Sequence, residues 1–431
     1  MVGTIIVSTL TIVYIISSIL FFPRATWKKF SFDTYWVGAL IGASLILVFN
    51  LVGEETVWTH LTSDSEINPL KILSLFLSMT LLSIYLDELG FFKRVAIWAH
   101  EKAGMNQISI FIWLYVVVSV LTIFTSNDII ILTFTPFICN FAKNAKINPL
   151  PYLVSEFIAA NTWSNMLIIG NPTNIYLATS FGIDFFEFIK VMFLPTIAGG
   201  LTSLGLTYLI FRKYLKVPMS QNGKEIIPMN QPLLTIGLIH LIGCTFLLSI
   251  SSYIHLPMWA ISLGFAISLS ICILLYRWIK HEKASILHQT LKRLPWNLVP
   301  FVLSMFIIVL ALKEHDITLM ISNLFQKNFA LFGFGAFIFA NILNNIPMSV
   351  MFVEVLRPLS GAILFPSLYA TIIASNIGAY LTPIGALAGI MWMSILKREG
   401  VNFTFIDFVK KNALIALLTF AVSIGVLALV L

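Results

Sequence analysis

Apolar stretches of bilayer-crossing length follow one another through nearly the whole chain, and this constrains the fold more than any other property. A hydrocarbon core takes roughly 20 apolar residues per helix. Against that length, spans are predicted near 2–22, 35–52, 70–87, 150–181, 189–211, 232–251, 256–276, 295–312, 366–394 and 413–431. Two further apolar pieces, 107–142 and 329–356, are interrupted by polar tips. Only 10% of the 431 residues are charged and 58% are hydrophobic, against roughly 25% charged in a soluble domain. The expected fold is an all-α polytopic membrane protein. The first apolar run has no basic region before it and no small-residue cleavage site, so a retained span is expected rather than a signal peptide.

The distribution of charge orients the spans. With the N-terminus placed outside, the loops predicted cytoplasmic hold 21 of the 26 Lys and Arg, from Arg24 through Arg293 to Lys411, and the opposite side holds five: Lys71, Lys190, Lys313, Lys327 and Arg357. Positive residues mark the cytoplasmic side. The net charge of +7 therefore falls between spans. It forms no nucleic-acid patch, and membrane lipid is the expected surrounding phase. Cys139, Cys244 and Cys272 all lie in apolar runs, form no CxxC pair, and are expected to be small buried hydrophobes.

The two interrupted pieces are predicted to be re-entrant hairpins. After the second tip, Met348 to Val355 is too short to cross before Arg357. The first piece, by analogy, turns back at Thr125-Ser126-Asn127-Asp128. Amphipathic connectors, Phe91 to Trp98 and Ile317 to Phe325, precede the hairpins and suit helices lying in the interface. The order three spans, hairpin, interrupted span, span then occurs twice, in 1–212 and 232–431, around a polar cytoplasmic linker, 213–231. The first unit begins outside and the second inside. Two inverted repeats, each of five transmembrane helices with a re-entrant hairpin and a broken helix, form the architecture of secondary transporters.

Candidate site residues sit at the tips and breaks. Asp128 is the one deep carboxylate in an arm otherwise uncharged from Gln107 to Ala142. Ionisable groups within membrane segments are expensive and usually functional, so Asp128 is expected to exchange a proton or coordinate a cation. Asp, Ser and Asn are also good N-caps, and capping the return arm is the structural alternative. Gly170-Asn171-Pro172-Thr173-Asn174 breaks one long apolar span, and Ser375 to Gly385 breaks its counterpart. Gly and Pro interrupt the helix while Asn and Thr can satisfy the freed backbone groups. Asn344 and Asn345 form the second tip and can donate to an oxyanion or ligate a cation through their carbonyls. Glu156 lies one turn into the interrupted span, where it can pair with a site group or relay protons. Asp87 and Glu88 close the third span on the basic side, where solvation is expected. His240 is expected to be a satisfied buried histidine.

No Walker-type loop, Ser/His/Asp constellation or metal-ligand spacing is visible. The expectation is neither an enzyme nor a metalloprotein, and no resident cofactor. An intramembrane hydrolase would need a second deep catalytic group, and a receptor would not need two matching helix breaks.

Thr125-Ser126-Asn127-Asp128 through Thr135-Pro136 resembles the Asn-Asp tip of the arsenical-pump membrane permeases, as do Ser375-Asn376-Ile377-Gly378 and Thr382-Pro383-Ile384-Gly385-Ala386 their second broken helix. Gly170-Asn171-Pro172-Thr173-Asn174 is similar to the matching loop of citrate-transporter-like anion permeases. All belong to the ion transporter superfamily. The resemblance implies alternating access, H+ or Na+ as coupling ion, a homodimer, and for arsenite export a partner arsenical-pump ATPase. It implies binding residues Ser126, Asn127, Asp128, Asn171, Thr173, Asn174, Asn344, Asn345, Asn376 and Thr382, with Asp128 and Glu156 in coupling. The tips depart from the Ser-Asn-Thr pair of sodium/dicarboxylate symporters. The leading expectation is proton-coupled export of arsenite, antimonite or a small inorganic anion across the cell membrane of a bacterium. The alternatives are a proton- or sodium-coupled citrate or dicarboxylate transporter and a sodium/proton antiporter.

Overall fold

A computed structural model describes the chain apart from residues 23, 28–29, 64–67, 105, 220–229, 252, 282–284 and 326–327. The middle of the expected linker and the basic residues Lys28, Lys29, Lys224, Lys283 and Lys327 lie outside the described residues. The first half runs α1 (Val2–Phe21), a small antiparallel ribbon β1 (Arg24–Trp27) and β2 (Phe30–Asp33), α2 (Tyr35–Val48), α3 (Glu54–Thr62), α4 (Pro69–Glu88), α5 (Phe91–Ala103), α6 (Gln107–Phe124), α7 (Asn127–Ala145), α8 (Leu150–Trp163), α9 (Pro172–Ser180) and α10 (Phe185–Phe211). The second half runs α11 (Gln231–Ser249), α12 (Met258–Ile279), α13 (Ser285–Arg293), α14 (Leu298–Glu314), α15 (Ile317–Leu324), α16 (Phe329–Leu343), α17 (Asn345–Leu356), α18 (Leu364–Ile377), α19 (Leu387–Arg398) and α20 (Phe405–Val430).

Among the described residues, nine helical segments are long and apolar enough to cross a membrane, and the protein is a multi-pass membrane protein. The helical order of the first half recurs in the second. Helix–tip–helix pairs, broken helices and short connecting helices stand at the expected places in both halves, and α6 is long and apolar enough to cross a membrane. Three elements were not anticipated: the β-ribbon, and the short helices α3 and α13, which fall at the same place in each half. The expected span 35–52 is also corrected, since α2 stops at Val48 and the chain turns through Asn50 at φ 50°.

Local chemistry sets the helix starts. Asn68 Oδ1 accepts from Leu70 N at 2.9 Å just before Pro69, so one side chain and one proline together begin α4. Asn106 caps α6 in the same way. Thr404 and Asp407 exchange hydrogen bonds as a capping box at the start of α20.

Packing divides the helices into two groups. In the first, α2 packs on α14 and α4 on α12, so each half contributes a span to the other's pair. Tyr35 meets Phe301 edge-on at 4.9 Å, and Tyr85 Oη donates to Leu233 O at 3.1 Å. In the second group, α6 lies on α8 and α16 on α18, while α10 packs along α20. The second half-helices cross over: α9 packs on α17 and α19 on α7. The connectors α5 and α15 bridge the groups, since α5 touches α4, α6 and α7, and α15 touches α14 and α17.

Candidate functional site

Both breaks are built by short-range chemistry. After α8 the chain forms two 3-10 turns, Ser164–Met166 and Ile168–Gly170, then extends at Asn171 and restarts at Pro172. A Cβ on Gly170 would lie 2.4 Å from Ser164 O, so only glycine fits there. Asn171 Oδ1 accepts from Thr173 N at 3.1 Å and caps α9. After α18 the 3-10 turn Gly378–Tyr380 leads through Thr382 to the start of α19.

The two breaks meet at Asn376, which is fully buried. Its Oδ1 accepts from Ser164 Oγ and Asn171 Nδ2, each at 2.7 Å. Its Nδ2 faces Asn174 Oδ1 at 2.7 Å and Asn165 Oδ1 at 2.9 Å. Thr173 and Ser375 pair their hydroxyls at 2.9 Å, and Asn174 Nδ2 donates to Ser164 O at 2.7 Å. One side chain of the second half therefore ties together the turn, the cap and the restarting helix α9 of the break in the first half. In lipid an unmade bond of this kind is costly, which accounts for the density of short amides here.

The second tip is anchored to this assembly. Asn345 N donates to Gly385 O at 3.0 Å and its Nδ2 to Ser375 O at 3.3 Å. Asn344 Nδ2 donates to Ile384 O at 2.9 Å, and Asn344 holds φ 78°. Thr382 is half-buried and turned away from the Asn376 cluster: its N and Oγ1 both donate to Asn341 Oδ1, at 3.1 and 2.8 Å. Asn341 was not anticipated. It sits one turn before the tip in an apolar helix, and its only sequence signal is an amide in that setting.

The first tip is arranged differently. Asn127 Nδ2 donates to Asn161 Oδ1 at 3.1 Å. Among the described residues its Oδ1 and the buried Ser126 Oγ have no hydrogen-bond partner. Asp128 is half-buried and faces a cavity of about 1140 Å³ lined also by Ser126, Tyr35, Thr80 and Asn297. Arg293 at the end of α13 and Lys397 near the end of α19 line the same cavity. Two oxygen-bearing side chains on the cavity wall, Ser126 and Asp128, with the unbonded Asn127 Oδ1 between them in sequence, suit a proton or a small cation.

Glu156 does not reach this cavity. It is 1% exposed, accepts from Thr135 Oγ1 at 3.1 Å and from Trp392 Nε1 at 3.3 Å, and so joins α8 to α7 and α19. The expectation that Asp87 and Glu88 are solvated is corrected. Their side chains are 10% and 16% exposed, and Arg293 bridges them at 2.7 and 2.5 Å. Thr133 Oγ1, five residues beyond Asp128, donates to the other oxygen of Asp87 at 2.7 Å. The partner lies about 205 residues away in α13, which local sequence cannot reveal. His240 is satisfied by Ile236 O and Ser268 Oγ. Cys139 and Cys244 are buried and Cys272 half-buried, all free. Among the described residues no three metal-ligating side chains gather.

Comparison with known proteins follows this geometry. The chain is 26% identical over 430 residues to the arsenical pump membrane protein of Yersinia enterocolitica, covering 94% of this chain and 95% of that one. It is 25% identical over 422 residues to the arsenical pump membrane protein of Escherichia coli K12, with the same coverage. Its fold is similar to that of the Alcanivorax borkumensis YdaH transporter, with a TM-score of 0.56 and 11% identity, covering 99% of this chain and 97% of that one. The family model described as citrate transporter (CitMHS) matches residues 27–361, a range that takes in both tips, the first break and the lining of the cavity on α4 and α14. A polytopic chain with paired breaks around a buried amide cluster and a family match over most of its length is a membrane transporter, and it belongs to the citrate transporter family.

Proposed function

We propose that the protein is a secondary transporter working by alternating access, and that it exports a small inorganic anion or metalloid hydroxide, arsenite or antimonite, in exchange for protons. The observation that carries this reading is the first tip: Asp128 faces the large cavity beside two oxygens without hydrogen-bond partners. A carboxyl in that setting can take a proton from one side of the membrane and release it on the other. The names of the relatives that span nearly the whole chain support the metalloid. The recurring element order and the partition of basic residues support inverted halves. Glu156, enclosed by Thr135 and Trp392, acts in this reading by fixing the arm that carries Asp128.

A second reading has its own support. The cavity is far larger than a metalloid hydroxide needs, and Lys397 on its wall, beside an Arg293 already paired with Asp87 and Glu88, suits a carboxylate such as citrate. Reconstitution into liposomes separates the two. Arsenite and citrate uptake, with sodium flux, are measured under imposed pH and sodium gradients. Arsenite movement driven by the pH gradient is the expected outcome. Citrate movement without arsenite movement would replace the first reading by the second, and movement of neither would remove both.

A further inference from the structure

Three voids follow one another along α4. The cavity that holds Asp128 touches Phe76, Thr80 and Ile84. A chamber of about 30 Å³ touches Ile72, Leu73 and Phe76. A third void of about 410 Å³ touches Lys71, Ile72 and Leu75. At 1.5 Å per helical residue, Lys71 to Ile84 covers about 20 Å. The facing wall runs in the same order, with Thr173 and Tyr176 of α9 on the chamber and Thr179 on the third void. Consecutive voids share wall residues. Phe76 and Leu298 belong to both the cavity and the chamber, and Ile72 belongs to both the chamber and the third void.

Close packing leaves few voids in a protein interior, and packing alone does not place three in succession along one helix, two of them also against α9. We infer that these voids are sections of one permeation path, closed between cavity and chamber by Phe76 with Leu298 and between chamber and third void by Ile72. This rests on the transport reading above, though not on its substrate.

The closing residues suit the role. Phe76, Leu298 and Ile72 are 5%, 3% and 7% exposed and wholly apolar. Of the three hydroxyls on the chamber wall, Ser349 Oγ donates to Asn345 O at 2.8 Å and Thr173 pairs with Ser375, which leaves Tyr176 as the one other polar side chain there. A water there lacks the two to four polar partners that hold buried water. A dry apolar constriction of this kind bars ions and hydrated solutes. Phe76 and Leu298 stand on α4 and α14, outside the hairpins and broken helices, so the barrier lies on one helix group and the polar tips on the other.

Thiol labelling tests the barrier without any substrate. Val350 lines the chamber. Val350→Cys is made in a protein whose Cys139, Cys244 and Cys272 are replaced, and is exposed from either membrane face to a charged, impermeant methanethiosulfonate. Alone, the new thiol resists labelling from both faces. Adding Phe76→Ala, or separately Leu298→Ala, gives labelling from the face bearing Arg293 and Lys397 only. Adding Ile72→Ala gives labelling from the opposite face only. Two independent substitutions at the first constriction guard against one that fails to fold, and each is scored only on protein that elutes as the parent does. Labelling of Val350→Cys from both faces without a second change overturns the proposal. So does protection that persists when either Phe76 or Leu298 is cut back. Loss of arsenite or citrate movement in reconstitution leaves these outcomes unaltered, so the two readings fail separately.

Discussion

The two hairpin tips occupy matching places and treat their polar atoms in opposite ways. At the second, Asn344 and Asn345 direct both side-chain amides and one backbone N–H into the break of their own half, at Ile384, Gly385 and Ser375. At the first, Asn127 makes one side-chain bond to Asn161, while its carbonyl oxygen and the Ser126 hydroxyl are unbonded, and Asp128 follows. The residue after the asparagine differs in kind: Asp128 borders the large cavity, whereas Ile346 borders the dry chamber. In the proposed reading the second tip holds structure and the first holds the coupling ion. The comparison teaches that bonding state separates the tips along with residue type, since each tip carries an asparagine and only the second has all of its side-chain amides bonded into the break.

The comparison breaks first at Asp128. Asp128→Asn is expected to reduce proton-driven transport to background while the protein elutes unchanged. Transport that keeps its pH dependence in this variant would take Asp128 out of coupling. Exchanging the tips, Asp128→Ile with Ile346→Asp, is expected to give no transport and a less stable protein, because a carboxylate beside Thr173 and Ser349 would be buried in apolar surroundings. Recovery of transport in that double variant would mean the tips are interchangeable.

Next comes the buried amide. Asn376→Leu removes partners from Ser164, Asn171, Asn165 and Asn174 together. Leaving such groups unmatched costs about 1–3 kcal/mol, read as a lower midpoint in thermal unfolding in detergent. Asn345→Ala is expected to behave in the same way, with a smaller drop and little change in coupling-ion affinity. Ser126→Ala should do the reverse: unchanged stability, since its hydroxyl has no hydrogen-bond partner among the described residues, and coupling-ion affinity weaker by about 2- to 10-fold, the worth of one hydrogen bond. Thr133→Val closes the series. Losing its bond to Asp87 is worth about 0.6 kcal/mol in a membrane and should alter transport rate slightly, with affinity unchanged.

Much of the fold is legible in the sequence because apolar length, Gly, Pro and the rare polar residue each leave a local mark. The hairpins show at Asn127 and Asn345, and the breaks at Gly170 and Gly385. What escaped depends on distance along the chain. Arg293 reads as a loop cation until α13 brings it to Asp87 and Glu88. Asn161 and Asn341 read as tolerated amides until the tip or the break arrives beside them. The chamber walls at Phe76 and Leu298 carry no signal at all, since an apolar residue facing a void and one facing a neighbour are spelled alike.

The exchanged spans bear on how the molecule is made. Because α2 packs on α14 and α4 on α12, these two helices leave the ribosome with a main partner not yet synthesised. They must wait in the bilayer, lipid on faces destined for protein, until residues 258–314 follow. A chain truncated after the first half would hold such unmatched faces indefinitely, and separately expressed halves would be expected to find each other in the same membrane. Assembly is in this sense a late event of translation, and cellular quality control has a long interval in which to inspect an unfinished protein.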